Sequence, residues 1–280
     1  MGATRMILQL TLMCFVGGST AAEPKVEQKT ILPQPDQVSF FERPITLAAA
    51  RRSDVPSPLV ILLDRDPWAA VIGSDSPTFA LYEEGTVIQK AANGFTATRL
   101  TDQELKYFLD RLNLPALSRF YGRFEAENAT DQPTQDLLVY RAERPVFVSV
   151  YGSLKDSNVR AKIPKEVTAA YDMLTQFQHP KSRAWLPKNI EVMIWPYKNA
   201  PGLSVRWPPE WPGLSDPKTI RRGDSFSIFM PSLQLAELRA FLKRRKEKGA
   251  VEIDDEKWAA SIRFPFPHEK LWMAPHPELK

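Results

Sequence analysis

The one cysteine of this 280-residue sequence, Cys14, sits inside a stretch that reads as a removable leader. The chain left to fold therefore has no thiol for a disulfide, a nucleophile or a metal ligand. The leader reading rests on order. Arg5 is the only charge in the first 22 residues, and an apolar run from Met6 to Val16 follows it, broken by Gln9 and Thr11. Gly17, Gly18, Ser19, Thr20, Ala21 and Ala22 come next. That charged, apolar, small-residue order is a secretory signal with cleavage after Ala22 or Ala21. The run falls well short of the roughly 20 apolar residues that a spanning helix needs. About 258 residues remain, enough to bury a core without covalent staples. The expected location is periplasmic or secreted, with no transmembrane span in the mature chain.

Charge excludes one class of partner. Loss of Arg5 leaves 36 basic and 33 acidic residues, and so small a surplus is no nucleic-acid footprint, which needs basic residues concentrated on one face. Residues 23–37, polar and with three prolines, read as an extended arm. Past Val38 the apolar residues come in short runs. Leu59–Leu63 is a buried-strand run, and Phe79–Tyr82 with Thr86–Ile88 predicts a hairpin turning at Gly85. Thr101 and Glu104 form a capping box ahead of Leu105, Phe108, Leu109 and Leu112, one stripe of a helix bounded by Pro115. Leu137–Tyr140 and Val146–Val150 predict a second hairpin turning at Glu143-Arg144. A second helix has Pro164 in its first turn and Val167, Ala170, Tyr171, Leu174 and Phe177 on one side. Residues 180–187 read as a connector. Ile190–Trp195, then Phe226, Ile228 and Met230, and finally Trp258–Phe264 are strand-like. Between the last two, Ser232 is expected to cap a helix whose inner face is Leu235, Leu238, Phe241 and Leu242. The expected fold class is α+β, antiparallel sheets with helices packed on one face. The expected lobes are 38–180 and 188–268, with an irregular tail over 269–280.

The stretch from Leu81 to Tyr151 resembles a domain of exported bacterial proteins of unknown function. The shared pieces are the Y-x-x-G-x-V-I hairpin at Tyr82–Ile88, the L-T-x-x-E-L helix start at Leu100–Leu105 and the T-D-x-P-T segment at Thr130–Thr134. A strand pair then ends at Val150-Tyr151-Gly152. The resemblance implies an envelope or secreted location and no particular activity.

Histidine is too scarce and too scattered for metal or triad chemistry: His179, His268 and His276 each neighbour a proline, and no H-x-x-x-H spacing exists. No cofactor or metal is implied. Two carboxylate pairs, Asp64 with Asp66 and Asp131 with Asp136, flank strand ends, where acid/base chemistry or simple turn formation would each use aspartate. Asp254-Asp255-Glu256 reads as a solvated turn. The basic run Arg239, Lys243-Arg244-Arg245-Lys246 reads as a helix exterior. The least ordinary segment carries Trp195, Tyr197, Trp207 and Trp211 among five prolines. Stiff backbone bearing flat rings is expected to bind a sugar or an extended peptide, unless the rings turn inward to cover the core.

The sequence therefore predicts an exported, non-catalytic protein that binds an envelope polysaccharide or a protein partner. A carboxylate hydrolase acting on glycan or peptide is the alternative. The exported form should begin at Glu23 or Ala22. Intact-mass measurement checks this, and a full-length chain held in the membrane would overturn it.

Overall fold

The computed structural model describes residues 55–69, 74–140 and 146–272. The expected leader and arm, the expected turn at Glu143-Arg144, and His276 lie outside the described residues. Two sheets and a few short helices make an α+β fold. The first sheet contains β1 (Pro58–Arg65), β2 (Phe79–Tyr82), β3 (Thr86–Ala91), β4 (Gly94–Arg99), β5 (Gly122–Glu125), β6 (Thr134–Val139), β7 (Val146–Tyr151) and β8 (Arg183–Trp185). Its order is β5-β7-β6-β1-β2-β3-β4-β8, antiparallel except where β5 runs parallel to β7. Between strands lie α1 (Asp102–Leu112), α2 (Leu114–Leu117), α3 (Ser157–Arg160) and α4 (Lys165–Thr175). No described helix is long and apolar enough to cross a membrane.

The second sheet contains β9 (Asn189–Pro196), β10 (Val205–Arg206), β11 (Ile220–Arg222), β12 (Ser225–Pro231), β13 (Val251–Ile253) and β14 (Glu256–Arg263), with α5 (Leu235–Arg244) between β12 and β13. Its order is β10-β13-β14-β9-β12-β11. Ile190, Val192, Ile194, Ile228 and Met230 form its core with Leu235, Leu238 and Phe241 of α5. That is the period-2 face of two strands meeting the stripe of one helix.

Strand alternation gives the first sheet two different buried faces. Val60 and Leu62 of β1, with Leu137 and Val139 of β6, meet Phe108 and Leu112 of α1 and Val167, Tyr171 and Leu174 of α4. Ile61, Leu63 and Leu138 point the other way, to Phe266, Leu271 and Trp272 that follow β14. Phe266 sits edge-on to Phe95 of β4, ring centroids 5.1 Å apart, and tilted on Trp185 of β8 at 5.0 Å. The chain after the second sheet therefore returns to cover the first.

Local expectations meet the structure with three corrections. The hairpin turns where expected, with Gly85 at φ +85°; a Cβ there would lie 2.7 Å from the Leu100 carbonyl oxygen, so the position requires glycine. The stretch 180–187 is not merely a connector, because Arg183–Trp185 pairs with β4 and forms an edge of the first sheet. Pro164 is the N-cap of α4 rather than part of its first turn. Ser232 does not cap α5: its hydroxyl donates to the Pro187 carbonyl, and a 3₁₀ turn over Ser232–Gln234 leads into the helix.

The capping box of α1 is complete. The Thr101 hydroxyl accepts the Glu104 amide at 3.2 Å, and the Glu104 carboxylate accepts the Thr101 amide at 2.8 Å. His179 adds a contact to the same carboxylate at 3.3 Å. The Thr101 hydrogen bonds, helped by His179, hold the Glu104 carboxyl down at about 2. A depressed folded-state pKa stabilises the fold above the ordinary carboxylate range, and that support is lost as pH falls through the range toward 2. Thr101→Ala should lower stability by about 0.5–2 kcal/mol, read from the urea midpoint at neutral pH. Its difference from wild type should shrink between about pH 4.5 and 2; an unchanged midpoint would show that this box does not hold the helix.

Candidate functional site

The cleft of most chemical interest opens where β1 leaves the sheet. Two adjoining depressions, about 580 and 630 Å³, share Asp64, Thr78, Lys90 and Lys155 in their walls. Each lies within the volume range of small-ligand sites. Asp66, Trp68, Asp75 and Asp131 line the first; Arg160, Tyr171 and Asp172 line the second.

Alternation places Asp64 on the helix-covered face of β1, where Gln135 of β6 holds it. The Gln135 side-chain amide donates to Asp64 Oδ1 at 3.0 Å and to the Tyr171 hydroxyl at 3.1 Å. Its oxygen accepts the Leu154 amide at 2.6 Å. Gln135 is 4 % exposed, so both ends of a buried amide are satisfied and the Asp64 carboxylate is fixed in direction. Burial, and then the negative charge of Asp64, raise the Tyr171 phenol above its ordinary range. Arg160 forks onto both oxygens of Asp172 at 2.9 and 2.6 Å and donates to the Leu154 carbonyl. That bidentate pair ties the loop after β7 to α4 and shapes this wall.

Asp66 begins a turn. Its backbone carbonyl accepts the Ala69 amide at 3.1 Å, and its side chain accepts the Trp68 amide at 2.9 Å, with Pro67 setting the backbone between them. The turn leaves the Trp68 side chain on the rim of the cleft at 74 % exposure, the highest of any aromatic among the described residues. The Asp66 amide donates to Asp75 Oδ1 at 3.2 Å. Burial raises the Asp75 carboxyl above its ordinary range, against the Asp66 amide and the Arg65 charge that lower it.

The sequence-derived pairs fare differently. Asp64 and Asp66 line one cleft, joined by Asp75 and Trp68, which sequence reasoning passed over. Asp131 reaches the same wall, but Asp136 does not. One residue along the strand from Gln135, Asp136 falls on the opposite face, fully buried, where Arg65 donates to it. Arg65 also donates to the Trp272 carbonyl at 3.1 Å. Asp131 and Asp136 are therefore no pair.

Of the two readings of the tryptophan–proline segment, Trp207 and Trp211 take the inward one. Trp207 and Trp211 are 6 % and 5 % exposed and belong to the core of the second sheet. Their rings lie edge-on to each other at 5.0 Å and edge-on to Phe241 of α5 at 5.5 and 5.2 Å. The Trp207 indole N–H donates to the Pro212 carbonyl at 3.0 Å, closing the loop over α5. The rings turn inward onto Phe241, in the same core cluster as Leu235 and Leu238 of α5 and Val251 and Ile253 of β13. Trp195 and Tyr197 are half-buried on and just beyond β9. Arg239, Lys243 and Arg244 are exposed on α5, while Arg245 donates to the Ala260 carbonyl. His179 bridges Thr98 and Glu104, and His268 contacts the Val55 carbonyl. Among the described residues no three His, Cys, Asp or Glu side chains group to hold a metal ion.

Comparison with protein-family models, with curated proteins and with solved structures finds no match to this chain. The cleft must be read from its own chemistry. For the tryptophans the expected outcome is loss of the fold: Trp207→Ala and Trp211→Ala should each cost about 3–5 kcal/mol, read as melting curves. Unchanged melting at either position would put that ring back on the surface.

Proposed function

We propose that this chain is an exported protein that binds a glycan of the cell envelope or its surroundings, and that it does so in the cleft at the end of β1. The observation that carries the reading is Trp68, held out on the rim of a cleft lined by four aspartates. A sugar ring has an apolar C–H face and a circumference of hydroxyls. Trp68 supplies flat contact area for the first at little entropy cost. Asp64, Asp66 and Asp75 accept hydroxyl protons, and Lys90 and Lys155 donate to hydroxyl oxygens. Asp64 is aimed before any ligand arrives, because Gln135 already holds it; preorganisation of that kind lowers the cost of binding. Export is supported by the charged, apolar, small-residue order of the first 22 residues.

One observation favours a second reading, hydrolysis in the same cleft. Asp75 is raised by burial, whereas Asp66, whose amide it accepts, is exposed to solvent. Carboxyl groups in contrasting environments are what glycosidic acid/base chemistry employs. The two readings share the ligand class and differ in turnover.

Co-sedimentation with isolated peptidoglycan sacculi, and retention on insoluble chitin or cellulose, test the reading. The wild-type protein should be retained on at least one. Trp68→Ala should abolish retention while shifting the melting temperature little, since an exposed ring contributes little to the core. A wild-type protein retained on none would sink the proposal. Reducing ends released by the wild type and not by Asp75→Asn would make the binder a hydrolase.

A further inference from the structure

One hydrogen bond crosses from the second sheet to the cleft. Arg263, the last residue of β14, is 3 % exposed, and its Nε donates to the Ser74 carbonyl at 2.7 Å. Its other two nitrogens are taken by carboxylates: Nη1 donates to Glu191 of β9 and Nη2 to Glu269. Glu269 also accepts the Phe266 amide at 3.0 Å. Glu191 is fully buried and further accepts the Ser227 hydroxyl, which in turn accepts Arg222 Nε at 2.7 Å. The guanidinium fork is thus fixed on three sides, and the side left to Nε points at the segment entering the cleft wall.

That segment leads to the rim in three steps. Ser74 precedes Asp75; Asp75 accepts the Asp66 amide; Asp66 accepts the Trp68 amide. We propose that Arg263 is a positioning residue of the cleft, setting through Ser74 and Asp75 where the Asp66 turn, and with it the Trp68 ring, stands. Its chemistry suits the task. A planar fork can satisfy two carboxylates and one carbonyl at once in fixed directions, which a lysine ammonium on a flexible stem cannot. The ion cluster in the second sheet therefore has an output: a backbone carbonyl held in place beside a carboxylate that lines the cleft. The functional consequence rests on the cleft being the glycan site, while the geometric claim does not.

The two are separated by measuring the rim without a ligand. Arg263→Lys keeps a positive charge between Glu191 and Glu269 and gives up the directed bond to Ser74. In ¹⁵N-labelled protein, hydrogen exchange at the Asp66 and Trp68 amides should speed up several-fold, with Ile194 and Ala260 of the second sheet unchanged. The ¹⁹F resonance of 5-fluorotryptophan at position 68, assigned by its loss in Trp68→Phe, should move. Asp75→Ala cuts the same chain beyond the ion cluster and should give the same changes at Asp66 and Trp68, and it decides the matter should Arg263→Lys loosen the second sheet as well. Exchange and resonance at the rim that stay at wild-type values in Asp75→Ala, or in a folded Arg263→Lys, would overturn the proposal. Sacculus retention, where the wild type shows it, should weaken in both variants. Failure of the wild type to bind any of sacculi, chitin and cellulose would leave the amide result standing and remove only the glycan reading.

Discussion

A guanidinium shut away from water between two carboxylates is the constraint on which the two sheets' arrangement depends. Arg263, Glu191 and Glu269 come from β14, β9 and the turn after β14. A charge so buried is tolerated only when its partners are aligned and its remaining donors are used. That requirement specifies more than stability. It dictates where the chain goes after β14, because Glu269 can reach Arg263 only when the intervening segment bends back, and the bend carries Phe266 and Trp272 onto the first sheet. Removing one partner would strand a buried charge, so the cluster stands or falls as a unit.

The first sheet turns that geometry into a cleft by the simplest property of a strand, alternation. Asp64 and Arg65 are neighbours in β1, yet one faces the helices and the other faces Trp272. Gln135 and Asp136 repeat the division across the ladder in β6. The polar ends of two strands thus serve two ends: one face presents a held carboxylate to the cleft, and the other buries an ion pair beneath the covering segment. A one-residue slip between β1 and β6 would exchange those roles, so the register is under strong selection by burial on both sides.

Much of this was readable from sequence wherever the signal was local. The Thr101–Glu104 box, the Gly85 turn and the apolar alternation of β9 and β12 each depend on residues a few places apart, and each stands in the structure as read. Misreadings cluster where a partner is distant. Arg183–Trp185 is a strand only because β4 lies alongside, and three residues, two exposed and one half-buried, carry no period of their own. Glu191 reads as the polar face of β9, yet it is buried by an arginine 72 residues away. Trp207 and Trp211 show aromatic mass without showing which way it turns, since that is decided by the Phe241 stripe on α5. In the site, Asp64 and Asp66 stood out as acids at a strand end. Trp68, a large ring within two residues of Asp-Pro in a polar turn, was the legible clue left unused. Gln135 offered none, because a polar residue in an apolar run declares its partner only in three dimensions.

The covering of the first sheet also fixes an order of events in time. Arg65 waits for the carbonyl of Trp272, a contact 207 residues distant along the chain. Synthesis runs from the other end, so β1, β2, β3, β4, β6 and β7 exist long before Phe266, Leu271 and Trp272, which pack with Ile61, Leu63 and Tyr82. For that interval the face carrying Ile61, Leu63 and Tyr82 lacks those three partners, and long-range closure of this kind slows folding and leaves apolar surface exposed in intermediates. A nascent chain of this architecture therefore has a period of vulnerability set by its topology, and whatever shields it must hold on until the final strand of the second sheet has passed.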